Sequence, residues 1–153
     1  MHETEALHIR RLTAEDLEPL HRLLSDPAVM RYLEPPFTRA QTEAFLQKAG
    51  MGHEPLIWAV EDGRGFAGYV IYHPYDETSM ELGWVLASDR WGRGYALALT
   101  RQMICRAREN GRDAVIECHP QQAATRHIAE KLGFRPCGMD GGCCVYRLAG
   151  KNE

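Results

Sequence analysis

The strongest constraint on the fold lies between residues 80 and 118. Met80 to Leu86 reads as a strand, with Met80, Leu82, Trp84 and Leu86 on one face and Glu81, Gly83 and Val85 on the other. A Gly/Arg stretch, 88–94, comes next. Tyr95 to about Asn110 then reads as a helix, because Ala96, Leu99, Met103 and Ala107 recur at helical spacing. Gly111 is placed to end it, and Ala114 to Cys118 is β-prone. Strand, loop, helix and strand in that order are the parts of a right-handed parallel crossover.

The flanking segments fit one sheet. Leu7 to Leu12 reads as a first strand, and Thr13-Ala14-Glu15-Asp16 as a capped helix start. Leu17, Leu20 and Leu24 form a helical stripe that Asp26-Pro27 stops. Glu34-Pro35-Pro36 is irregular, since proline is excluded from a helix interior. Thr38 with Gln41 is a second capping box, opening a helix to about Lys48 that Gly50 ends. Leu56 to Glu61, the turn Asp62-Gly63-Arg64-Gly65, and Phe66 to Tyr72 make a hairpin. A turn at Pro74-Tyr75-Asp76 leads into the strand at Met80, so the block reads as an antiparallel meander. Gln121 to Leu132 is a helix stopped by Gly133. Phe134 to Cys137 and Cys144 to Leu148 are two last strands around Asp140-Gly141-Gly142. The fold class is therefore mixed α/β (α+β), with one twisted sheet.

No repeat or linker divides the 153 residues, so residues 1–153 are read as a single domain. The chain carries 18 Lys+Arg against 21 Asp+Glu, a net charge of −3, which argues against a nucleic-acid partner. No apolar run approaches the roughly 20 residues of a membrane helix. The polar, acidic start Met1-His2-Glu3-Thr4-Glu5 is unlike a signal peptide. Five cysteines without zinc-finger spacing read as reduced thiols, so the expected setting is cytoplasmic, with no metal. A monomer or a homodimer is expected.

The segment Trp91-Gly92-Arg93-Gly94-Tyr95-Ala96 is the most informative for chemistry. It follows a strand and opens a helix, whose first N–H groups lack partners and whose dipole favours an anion. Gly92 and Gly94 have no Cβ to hold a phosphate away, Ala96 is small, and Arg90 and Arg93 add charge. One reading is a diphosphate cradle; the other is a Gly-rich turn that caps a helix. A Rossmann fingerprint fails, because Leu97 stands at the place of its third glycine. A P-loop fails for want of Gly-Lys-Ser/Thr.

The chain resembles the GNAT superfamily of acyl-coenzyme A-dependent N-acetyltransferases, and within it the branch of ribosomal-protein N-terminal acetyltransferases. The resemblance rests on Glu81-Leu82-Gly83-Trp84-Val85-Leu86, Ser88 to Ala96, His119-Pro120-Gln121-Gln122-Ala123-Ala124-Thr125, and Glu130-Lys131-Leu132-Gly133-Phe134. It implies six to seven strands splayed between the fourth and fifth, about four helices, and acetyl-CoA as co-substrate. It implies that Trp91, Gly92, Arg93, Gly94, Tyr95 and Ala96 bind the pyrophosphate, and that Val85 and Leu86 pair their main chain with the pantetheine arm. Gln122 and Thr125 stand where the family usually has Asn and Ser, and retain an amide and a hydroxyl. Ala129 stands where many members carry a tyrosine acid, which excludes that acid here.

The implied reaction is attack of an amine on a thioester. An amine with a pKa near ~10.4 is mostly protonated at neutral pH and needs a base. Glu81 is the candidate base; its other reading is a solvated strand carboxylate. Thr125 is the candidate hydroxyl for the departing thiolate; its other reading is a helix-surface hydroxyl. Cys118 and His119, adjacent in a strand, point to opposite faces and do not readily pair. Direct transfer in a ternary complex is therefore expected rather than an acyl-cysteine. The competing reading is a non-catalytic acyl-CoA sensor. The acceptor, a peptide N-terminus or a small-molecule amine, is not legible in the mixed charges of residues 30–52.

Overall fold

The computed structural model describes residues 6–150. The acidic start 1–5 and the last three residues of the 1–153 span lie outside the described residues. Among the described residues there are seven strands: β1 (His8–Arg10), β2 (Ile57–Asp62), β3 (Gly65–Asp76), β4 (Ser79–Leu86), β5 (Asp113–Cys118), β6 (Arg135–Asp140) and β7 (Cys143–Leu148). They form one mixed sheet in the order β1-β2-β3-β4-β5-β7-β6. The α-helices are α1 (Leu17–Leu24), α2 (Pro27–Met30), α3 (Arg39–Phe45), α4 (Tyr95–Glu109) and α5 (Ala123–Lys131). Among the described residues no helix is long and apolar enough to cross a membrane.

The crossover is where the sequence places it. β4 and β5, joined through α4, pair in parallel as Ser79↔Asp113, Met80↔Ala114 and Glu81↔Val115. That register stops at Glu81, although β4 continues to Leu86 and β5 to Cys118.

The described residues divide into two compact units, one running to residue 71 and including 84–95, the other 72–83 with the residues from 96 onward. In the first, Leu20, Leu23 and Leu24 of α1 are buried in a cluster with Ile57, Tyr69 and Val85. Each such aliphatic side chain contributes about 1.5–3 kcal/mol by leaving water. Both expected capping boxes form. The Thr13 hydroxyl accepts from Glu15 N–H while Asp16 accepts from Thr13 N–H. Ahead of α3 the Thr38 hydroxyl accepts from Gln41 N–H and the Gln41 amide oxygen accepts from Thr38 N–H. In the second unit Leu99, Met103 and Ala107 of α4 are buried, as are Val115 and Ile116 of β5. Gly141 and Gly142, with φ of +58° and +86°, close the β6–β7 hairpin.

Two local expectations are extended by the structure and one, the turn at 74–76, is corrected. Asp26-Pro27 does more than stop α1: the Asp26 carboxylate accepts from Ala28 N–H at 2.9 Å and Pro27 opens α2, which adds a fifth helix to the expected four. Pro74-Tyr75-Asp76 is strand, and the turn falls at 77–78. Pairing of β3 with β2 ends at Ile57↔Ile71, so the N–H that Pro74 lacks is not missed by that ladder. Gly50 ends a π-helical turn, Leu46–Gly50, without a positive φ. A Cβ there would press on the Leu12 side chain.

Candidate functional site

One carboxylate, Asp62, anchors both ends of the glycine loop. After the short 3-10 turn Ser88–Arg90, Gly92 and Gly94 take φ of +75° and +79°, the left-handed region that glycine enters without strain. No atom lies within 4 Å of where a Cβ would stand at either position, so both glycines face open space. Residues 91–94 are exposed and lead directly into α4, at the end of the helix whose dipole favours an anion. Open space, a helix dipole and the exposed Arg93 fit a diphosphate.

Arg90, expected to lend charge to that anion, is committed elsewhere. Its buried guanidinium donates to Asp62 at 2.9 and 3.2 Å and to Asp89 at 3.1 Å. Tyr95, 3% exposed, turns its hydroxyl inward to donate to the same Asp62 carboxylate at 2.7 Å. Arg64 N–H completes the set at 2.8 Å. These bonds, that of Arg90 foremost, hold the Asp62 carboxyl well below the usual carboxylate range. Asp62 thus ties down the residue before the loop and the residue after it. Tyr95 has only main-chain groups to offer a ligand there.

The end of β4 is shaped by a glycine in β3. Gly68 has φ of +146°, and a Cβ there would overlap the Val85 carbonyl oxygen. The bulged register around Ala67, with Val60↔Gly68 followed by Glu61↔Phe66, accompanies this close approach. Ala87 N–H donates to the Ala67 carbonyl at 2.9 Å. Val85 and Ala87 therefore direct main-chain groups toward β3, and by strand alternation Trp84 and Leu86 direct theirs away. The Leu86 carbonyl accepts from the Trp91 indole N–H at 3.0 Å, although Trp91 is 51% exposed.

In the second unit three strands bring titratable groups together. Glu81 is the last residue in register with β5, beside Val115, and Glu117 lies two residues on, on the same face. Glu81 Oε1 is 3.5 Å from His73 Nε2, and both side chains are 22% exposed. His73 Nδ1 lies 2.9 Å from the Pro74 carbonyl oxygen. Tyr75 donates its hydroxyl to Glu117 at 2.8 Å. Burial pushes the Glu81 carboxyl up, the Glu117 charge adds to this, and His73 opposes it. The bond to Glu117 is the main reason the Tyr75 hydroxyl is pushed up to about 12. His73, Tyr75 and Glu117 went unseen in the sequence. Strand alternation would have put His73 and Tyr75 on one face had residues 74–76 been read as strand.

On α5 and its approach, the Gln122 amide oxygen accepts from His119 N–H at 2.8 Å and holds the preceding turn. Thr125 is half-buried in the first turns of the helix. Ala129 is fully buried and supplies no acid. Burial pushes the Cys118 thiol up to about 11. His119 Nδ1 accepts from Gln121 N–H at 3.1 Å. Among the described residues no group of three His, Cys, Asp or Glu side chains could hold a metal ion.

Residues 6–135 match the family model for the acetyltransferase (GNAT) domain. The Bacillus subtilis (strain 168) protein YkkB is 30% identical over 143 residues, 86% of this chain and 83% of that protein. The crystal structure of a GNAT-family acetyltransferase from Bacillus anthracis superposes with a TM-score of 0.80 at 25% identity, covering 97% of each chain. Spermidine N-acetyltransferase from Vibrio cholerae, solved with CoA and spermine, gives 0.75 at 23% identity over 93% of each chain.

Proposed function

The chain belongs to the GNAT acetyltransferase family, and from that premise we propose that it is one N-acetyltransferase domain that moves the acetyl group of acetyl-CoA to a primary amine by direct attack in a ternary complex. The observation that carries the reading is the loop 91–94, with two left-handed glycines facing open space at the start of α4. Main-chain N–H groups from Gly92 to Ala96 hold the pyrophosphate, and Arg93 rather than Arg90 adds charge. Leu86 and, by alternation, Trp84 offer main-chain groups to the pantetheine arm. Val85, with its carbonyl toward β3, sets the position of that strand end. Trp91 braces it through the Leu86 carbonyl.

The thioester supplies an activated acyl carbon. Glu81 takes the proton of the amine. A carboxyl pushed up by burial is a stronger base than an ordinary one, which suits it to take a proton. The leaving thiolate, with a free pKa of about 8.5, needs a hydrogen bond more than a strong acid, and the Thr125 hydroxyl is our candidate to donate it. Gln122 shapes the turn before α5. The high position of Cys118 on the acidity scale disfavours a thiolate nucleophile at neutral pH. The spermine-bound neighbour supports an amine acceptor. Resemblance to the ribosomal-protein branch keeps a peptide N-terminus beside small amines.

Release of CoA thiol from acetyl-CoA, measured with spermine, free amino acids and short peptides with free N-termini, tests this. Turnover with at least one amine and intersecting initial-rate lines are expected. Binding of acetyl-CoA without turnover on any amine would favour a sensor. Parallel lines with an acetyl adduct on a cysteine would overturn direct transfer.

A further inference from the structure

The Glu81 carboxylate, once it has taken a proton, must lose it again before the next turnover. Its basic neighbour is an imidazole whose tautomer the backbone sets. A carbonyl oxygen accepts and cannot donate, so His73 Nδ1, 2.9 Å from the Pro74 oxygen, carries the ring hydrogen of the neutral form. Nε2 is then left with its lone pair, 3.5 Å from Glu81 Oε1. That separation closes to hydrogen-bond distance with a small side-chain adjustment, as catalytic contacts commonly do once substrate binds.

The other groups around Glu81 are poorly suited to this task. From β3, Tyr75 gives its hydroxyl to Glu117 and holds its proton tightly. From β5, Glu117 is a second negative charge that hinders proton loss from Glu81. From β7, the Cys143 thiol is pushed up by burial and then by Glu117. From β6, Asp140 adds negative charge acting on Tyr75 and Cys143.

We propose that His73 is the proton relay behind Glu81, accepting at Nε2 the proton that the carboxylate takes from the attacking amine and releasing it to water. The amine N–H bond breaks as the Glu81 O–H bond forms. The O–H bond then breaks as the Nε2 lone pair takes the proton, and the imidazolium returns to neutrality by losing that proton to solvent. The side chain is exposed enough, at 22%, to meet water. This role rests on the reading of Glu81 as the base.

Two measurements test it on the full chain. In the first, carboxyl carbon NMR follows the titration of Glu81 in the wild type and in His73→Asn. Because His73 opposes the upward push on the carboxyl, its midpoint moves to higher pH in the variant; an unmoved midpoint means the groups are uncoupled and overturns the relay. In the second, kcat with acetyl-CoA and the best amine of the panel is measured for His73→Asn and His73→Gln, with folding checked by circular dichroism. A fall of about tenfold or more is expected, with recovery that grows with added imidazole. Full activity, or a loss that imidazole does not restore, overturns the relay. Glu81→Gln separates the two readings. If it retains full turnover the base assignment itself fails, whereas its loss beside a fully active His73→Asn removes only the relay.

Discussion

Asp62 and Glu81 are both carboxylates drawn largely out of water, and the fold treats them in opposite ways. Asp62 receives Arg90, Tyr95 and the Arg64 N–H, and its charge is stabilised. Glu81 receives one imidazole at 3.5 Å and shares its face with a second carboxylate, and its charge is disfavoured. The first arrangement suits a part that must stay still, since a buried, fully bonded anion fixes whatever is bonded to it. The second suits a part that must gain and lose a proton, since burial and Glu117 favour taking it up and His73 opposes them. Rigid geometry and protonic readiness thus come from the same residue type with different partners.

The comparison breaks most visibly if the tether is cut. Asp62→Ala leaves Arg90 buried without its main partner, a loss of about 3–5 kcal/mol. A fall in Tm of roughly 10 °C follows, which differential scanning calorimetry reads. An unchanged Tm would mean that the network is ornamental. The pH dependence has a definite sign. Asp62 has a depressed folded pKa, so its contribution is present above its ordinary value of 3.8 and is lost as pH falls toward the folded value. The stability of the wild type should therefore drop in acid more steeply than that of Asp62→Ala.

Gly94→Val tests the loop that the tether serves. A side chain in the left-handed region costs about 1–2 kcal/mol. Acetyl-CoA affinity by isothermal titration should fall about tenfold while the fold persists; equal affinity would place the pyrophosphate elsewhere.

A smaller effect sharpens the other half of the comparison. The Glu81 carboxyl has a raised folded pKa, so its contribution to stability is present at low pH and lost as pH rises through that value. Near neutral pH Glu81→Gln should therefore raise Tm slightly, and at low pH the difference should vanish. A lowered Tm at neutral pH would make the carboxylate structural. Smallest of all, Cys118→Ala should leave kcat close to wild type, because direct transfer does not use the thiol; a large loss would revive an acyl-cysteine.

What the sequence discloses here is what neighbours in the chain decide. The boxes Thr13/Asp16 and Thr38/Gln41, the turns at 62–65 and 140–142, and the strand–loop–helix–strand order of 80–118 are local patterns, and they stand as read. Asp62 and Arg90 were legible only as a turn residue and a loop charge, because their pairing joins residues far apart in the chain. His73 was hidden by Pro74, whose turn-forming habit outweighed the strand it belongs to. Gly68 sits inside a β run where the sequence shows only a missing side chain; the need for it comes from the Val85 carbonyl in the next strand. The glycines of 92–94 were found because a loop that opens a helix carries its requirement in its own residues.

The most direct test of the account is the pH dependence of kcat for Glu81→Gln beside the wild type, at saturating acetyl-CoA, from about pH 6 to 9. The amide keeps the volume of the side chain and cannot accept the proton. The account predicts turnover about 100- to 10,000-fold lower near neutrality, with acetyl-CoA affinity unchanged. Full turnover across that range would contradict it and return Glu81 to the solvated strand carboxylate.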